Sequence, residues 1–112
     1  SRTHIKTLTE HTREDNARFF NDLSDVPYHV VTMGMGTILE SRVCLVLAFG
    51  ANKAPAVAAS VEGPIAAMMP ASALQLHRHV HVLLDAPAAT RLEKAEYYRW
   101  VYDHKPDWQQ YR

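Results

Sequence analysis

An α/β fold, doubly wound or half of one, is what the order of apolar runs in this sequence predicts. Three observations carry it. Val43-Cys44-Leu45-Val46-Leu47-Ala48-Phe49 is apolar without alternation, as expected for a strand buried on both faces of a parallel sheet. Val80 to Leu84 gives another strand. Between the two lies an Ala-rich helical stretch from Ala51 to Glu62. Helices alternating with strands form βαβ units, so the expected architecture is a mostly parallel sheet flanked by helices, Rossmann-like and present as a partial domain.

Taken in order, Ser1 to Thr9 is polar and Thr-rich, and no period dominates it. Thr12 stands three residues before Asp15, which approximates a capping pair and predicts a helix from about Arg13 to Leu23. Ala17, Phe20 and Leu23 then share one face, with Arg18 at its edge, where a long side chain reaches past the core. Ser24, Asp25 and Pro27 end that helix. Val30 to Met33 reads as a short strand and Gly34-Met35-Gly36-Thr37 as a tight turn, followed by a short helix through Ser41.

Gly50 ends the Val43–Phe49 strand. Pro55 is tolerated in the first turn of the next helix, and Gly63 suits its C′ position. A helical turn over Ala71–Leu76 precedes the strand Val80–Leu84. The final helix is expected from about Ala88 to His104, with Leu92, Ala95, Tyr98 and Tyr102 along one stripe and Pro106 stopping it. Tyr97, Tyr98, Trp100, Tyr102 and Trp108 read as core plus packing of the tail, with an interface to another chain as the alternative.

The chain has 112 residues, 12 Lys+Arg against 12 Asp+Glu, 47% hydrophobic and 21% charged content. That composition belongs to an ordered globular protein rather than a disordered one. No basic excess points to nucleic acid. The runs Val43–Phe49 and Ile65–Met69 fall far short of the roughly 20 residues needed to cross a bilayer. One cysteine, Cys44, can form no internal disulfide and suits a reducing, cytoplasmic setting. The length supports one core, a single domain over 1–112, with few walls for a pocket. The chain opens on Ser1 without an initiator Met, so it is either processed or part of something longer.

Lys53 is the residue the spacing singles out. It follows Gly50-Ala51-Asn52 at the carboxyl end of a strand and precedes a helix, where an open parallel sheet receives anions. Its ammonium supplies a point charge for a phosphate, against the plainer reading of a solvated loop lysine. Gly34-x-Gly36 begins like a dinucleotide fingerprint, but position 39 is Leu and no acidic residue follows at the needed distance, so no cofactor is expected. His77, His79 and His81 alternate and would face one way on a strand, with Asp85 the nearest acid to complete a zinc set. A polar strand end is the favoured reading, and no metal is expected. Cys44 reads as an inert core thiol.

Several segments together resemble a known family. They are Arg2-Thr3-His4-Ile5-Lys6-Thr7-Leu8-Thr9, Thr12-Arg13-Glu14-Asp15-Asn16-Ala17-Arg18-Phe19-Phe20, Val26-Pro27 and Thr32-Met33-Gly34-Met35-Gly36-Thr37-Ile38-Leu39. Gly50-Ala51-Asn52-Lys53-Ala54, Val61-Glu62-Gly63 and Ser72-Ala73-Leu74-Gln75-Leu76-His77 complete the set. In order and nearly without gaps as far as Asp85, they look like the carboxy-terminal half of the glucosamine-6-phosphate deaminase family. The last helix and the tail match less closely.

The resemblance implies conversion of glucosamine 6-phosphate and water to fructose 6-phosphate and ammonia, without a cofactor. It implies that Arg18 and Lys53 hold the sugar phosphate, whose roughly −1.5 to −2 charge suits a guanidinium fork and a point charge. It also implies that the catalytic groups lie around an Asp-Gly-His motif in the other half, absent here, so this chain carries no catalytic residue and is inactive alone. In the family's allosteric Arg-x-Lys-Thr segment, Lys6 is present but His4 replaces the arginine and lacks its fork. The implied partner is a phosphorylated amino sugar, with a homo-oligomer left open. A non-catalytic sugar-phosphate sensor is the alternative.

Overall fold

A computed structural model of the chain describes residues 1–109, which divide between two units, Ser1–Ile38 and the part from Leu39 onward. In the first unit, β1 (His4–Thr7) pairs antiparallel with β2 (His29–Thr32), from His4↔Thr32 to Thr7↔His29. All four β1 residues are exposed, so no buried face imprints a period of two on the sequence, and the sequence pattern does not predict this strand.

The connecting helix α1 spans Glu10–Asn16, followed by 3₁₀ turns at Ala17–Phe19 and Leu23–Asp25. The single helix expected from Arg13 to Leu23 is thereby corrected. Thr9 is its cap, accepting the Thr12 amide on Oγ1 at 3.2 Å, so the helix opens a turn early. The 3₁₀ turn then breaks the 3.6-residue period, and Phe20 is exposed instead of sharing a buried face with Ala17 and Leu23. Val26 is the buried apolar side chain of this unit.

Gly34 is buried, and a Cβ there would collide with the Ser1–Arg2 backbone. The close approach lets Ser1 Oγ accept the Met35 amide at 2.8 Å, where α2 (Met35–Leu39) begins. The two glycines of the Gly34-x-Gly36 pair thus serve backbone packing: a Cβ at Gly36 would also meet Ser1.

In the second unit, β3 (Cys44–Ala48) and β4 (Val80–Leu84) pair in parallel, from Cys44↔Val80 to Ala48↔Leu84. The connection between them carries a 3₁₀ turn at Ala51–Lys53, helix α3 (Ala54–Val61) with Pro55 in its first turn, and a second 3₁₀ turn at Pro70–Leu76. Ala54, Val57 and Ala88 form its buried apolar centre. Ser72 is fully buried, with its hydroxyl donating to the Met69 carbonyl at 2.6 Å and accepting the Ala66 amide at 2.9 Å. The α/β class therefore holds, with one antiparallel and one parallel pair of strands.

The β3 strand does not bury both faces. Val46 and Ala48 face Val57 across a cavity, whereas Leu45, Leu47 and Phe49 are 58%, 56% and 60% exposed. A continuous apolar run describes a strand whose other face is bare among the described residues.

The final helix, α4, spans Ala95–Asp103, not the expected Ala88 to His104. Pro87–Ala89 forms a separate 3₁₀ turn, with the Ala88 amide donating to Asp85 Oδ1 at 2.9 Å. The amides of Glu93 and Lys94 donate to the Glu62 carboxylate at 2.8 and 3.0 Å, which sets the helix start at the next residue. Tyr98 also donates its hydroxyl to Glu62, at 2.8 Å. The aromatic group is not core: Tyr97, Trp100, Tyr102 and Trp108 are each more than half exposed, and Tyr98 alone turns toward Glu62.

This clamp between α3 and α4 gives a pH signature. The Glu93 amide, aided by Tyr98 and Lys94, holds the Glu62 carboxyl below its ordinary 4.5. Burial, together with the Glu62 carboxylate, pushes the Tyr98 phenol up from 10.0 to about 12. Glu62 therefore stabilises the fold above its ordinary value and loses that contribution as pH falls through its lower folded value. Tyr98 stabilises below pH 10 and loses its contribution as pH rises toward about 12. Thermal melts should accordingly show Tyr98→Phe losing less stability than the unaltered chain across that alkaline window. Parallel curves for the two would refute the clamp.

Candidate functional site

Parallel pairing brings the carboxyl ends of β3 and β4 side by side, two residues short of Gly50 on one strand and one short of Asp85 on the other. Gly50 adopts φ 89° and ψ 155°, a region open in practice to glycine alone. A Cβ at this position would meet no atom within 4 Å, so the glycine is required by conformation, not by space. Its amide donates to both Asp85 carboxylate oxygens, at 3.0 and 3.1 Å. Its carbonyl accepts the Lys53 amide at 3.1 Å, closing the turn that leads into α3.

Lys53 is thus where the sequence pattern expects it, at a strand end just ahead of a helix, exposed, and on the lining of the cavity between the sheet and α3. That cavity has a volume of about 340 Å³ and is walled mainly by apolar side chains, among them Val46, Val57, Val61 and Val82. Among the described residues, Lys53 is the only charged one on its lining. A wall of valines offers little to a sugar's hydroxyls, which leaves Lys53 as the charged side chain on the lining.

Arg18 lies in the first unit, on the 3₁₀ turn Ala17–Phe19, exposed, with its guanidinium 4.7 Å from the centre of the Phe19 ring. It does not stand at the edge of a helical stripe. Lys6 is exposed on β1, on the same strand face as His4, whose ring nitrogen meets the Arg2 carbonyl.

The three histidines do not share a strand face. His77 caps the 3₁₀ turn before β4, with Nε2 2.8 Å from the Ser41 carbonyl and Nδ1 accepting the His79 amide. Only His81 lies within β4. Among the described residues no group of three or more His, Cys, Asp or Glu side chains is arranged to hold a metal. Cys44 is a half-buried free thiol on β3. No helix among the described residues is long and apolar enough to cross a membrane.

Sequence reasoning missed two acids. The sequence points to Asp85 only as a metal ligand and gives Glu62 no role of its own, yet each carboxylate gathers backbone amides from a distant segment. A usable signal existed for Asp85: an acid at a strand end, two residues before a proline, is placed to cap the turn that follows.

A parallel β–α–β unit with a glycine turn braced at its strand ends defines part of an α/β domain. Nearly the whole of this chain matches part of proteins named glucosamine-6-phosphate deaminase. It is 64% identical over 110 residues to the glucosamine-6-phosphate deaminase of Streptomyces coelicolor, covering 97% of this chain and 42% of that protein. With the Rhodococcus opacus enzyme the figures are 57% over 111 residues, 99% and 43%. A solved structure of a monomeric glucosamine-6-phosphate deaminase of the NagB superfamily superposes with a TM-score of 0.78 at 49% identity, covering 81% of this chain and 38% of that one. No family model matches the chain. It spans less than half the length of the relatives it matches.

Proposed function

We propose that this chain is the phosphate-holding, carboxy-terminal portion of a glucosamine-6-phosphate deaminase. The observation that supports this reading is the identity of 54–64% over 97–99% of the chain, against 41–43% of each relative's length. The reaction takes the amino sugar phosphate and water to the ketose phosphate and ammonia. Proton transfer at C2 calls for an acid–base group, and in this reading that group comes from the length of the enzyme outside this chain. Here Lys53 and Arg18 each contact the phosphate, which anchors the sugar away from its reacting carbon and spends binding energy on orientation.

Lys6 contributes one cation of an effector site, weakened by His4 in place of an arginine. The bare face of Leu45, Leu47 and Phe49 fits the same reading, as the side on which the rest of a doubly wound sheet domain would pack. The free thiol of Cys44 suits a reducing, cytoplasmic setting.

The test is a chimera in which this chain replaces the matching segment of the Streptomyces coelicolor relative, assayed for ammonia release from glucosamine 6-phosphate beside the chain alone. The chimera is expected to turn over and the isolated chain not to. A folded chimera that releases no ammonia overturns the proposal. Sugar-phosphate binding by the isolated chain, combined with a folded but inactive chimera, would favour the sensor reading instead.

A further inference from the structure

We infer that Asp85 is a positioning residue for sugar-phosphate binding, setting the Gly50 turn that aims Lys53. This rests on the reading of Lys53 as a phosphate contact. Gly50, at φ 89° and without a Cβ, is the least sterically restricted backbone residue between β3 and the turn carrying the lysine. Rotation about that residue would swing the whole Ala51–Lys53 turn. Both polar groups of Gly50 are instead tied: its amide to the two carboxylate oxygens of Asp85, its carbonyl to the amide of Lys53.

Asp85 is itself anchored, because Oδ1 also accepts the Ala88 amide and its backbone carbonyl accepts the Ala89 amide at 3.3 Å. Ala88 is fully buried, so the far end of the brace sits in the rigid part of the unit. One carboxylate therefore joins the end of β4 to the end of β3 and passes its rigidity to Lys53 through a single residue. Capping of the Pro87–Ala89 turn alone would leave the two bonds from Gly50 unexplained. Charge matters here: an ionised carboxylate accepts several amide hydrogens at once, and an amide side chain offers only one oxygen.

The test uses the chimeric deaminase with Lys53→Ala, Asp85→Asn and the double variant, reading KM for glucosamine 6-phosphate, kcat, and inhibition by inorganic phosphate. Asp85→Asn is expected to raise KM about tenfold and weaken phosphate inhibition in proportion, with kcat changed less than about twofold. In the Lys53→Ala background the same change should move KM by less than about twofold, because its effect passes through the lysine. If Asp85→Asn does not fold, Asp85→Glu keeps the charge at a displaced position and should give a smaller rise in KM that again disappears without Lys53. Equal effects of the Asp85 change in both backgrounds, or none in either, overturn the positioning role. An unchanged KM for Lys53→Ala overturns the phosphate reading itself, a separate outcome.

Discussion

Replacing Lys53 with alanine in the chimeric deaminase is expected to raise KM for glucosamine 6-phosphate about 10- to 100-fold while lowering kcat by less than about threefold. The size follows from one charge-assisted contact to a phosphate near its dianionic state, worth about 1.4–2.8 kcal/mol once solvent competes for the exposed ammonium. The asymmetry follows from the proposed role, in which a phosphate held away from C2 is bound alike in ground and transition states and its loss is felt in KM. Salt separates this from misfolding. Raising ionic strength should weaken substrate binding in the unaltered enzyme and do so less in the variant, because an exposed pair is screened. An Arg18→Ala variant is an independent measure of the second cation. Unaltered kinetics in both variants would remove the phosphate site from this chain.

The largest effect on stability is expected at Arg13. Its side chain is buried, only 3% exposed, and its Nη2 donates to the Leu23 and Val26 carbonyls at 3.0 and 3.1 Å. The guanidinium lies 3.9 Å from the centre of the Tyr28 ring, and Nη1 reaches Glu10 at 3.1 Å. The Glu10 side chain is 68% exposed, so that ion pair contributes little. The two carbonyls decide the outcome, since Arg13→Ala leaves both without this donor and opens space beside Tyr28, a loss of about 3 kcal/mol. Arg13→Lys should recover only part, as an ammonium lacks the planar fork. Amide exchange over residues 10–26 is the measurement, expected to accelerate about 100-fold where the limiting opening involves this unit. Acceleration below about fivefold would show that Arg13 is not the strap holding α1 to the Leu23–Val26 segment.

The parts of the fold that were legible share one property: their signal is local. The sequence predicts Val80–Leu84 to the residue, and Cys44–Ala48 and Ala54–Val61 within a few residues, because β-branched runs, an Ala-rich stretch and bounding Gly and Pro act over short spans. The errors fall where distant groups intervene. Helix α4 starts at Ala95 because Glu62, from the end of α3, takes the amides before it. Strand β1 went unread because a fully exposed strand has no alternation to display.

The candidate site divides the same way. Lys53 stands out from its position after a strand-end glycine, whereas spacing marks Arg18 only as the edge of a helical stripe that the 3₁₀ turn breaks, and Lys6 is identified through resemblance alone. Asp85 could not be assigned its role from one dimension, because Gly50 lies 35 residues away in sequence and meets it only through the parallel register.

The α/β class, the β3–α3–β4 order and the family the chain resembles are thus properties of the sequence alone, since periodicity, turn chemistry and motif order are written along the chain. Tertiary structure alone decided which face of β3 is covered, where α4 begins and which carboxylate braces the Lys53 turn. Burial and long-range hydrogen bonds depend on what meets each residue in space, and neighbours in sequence carry no record of that.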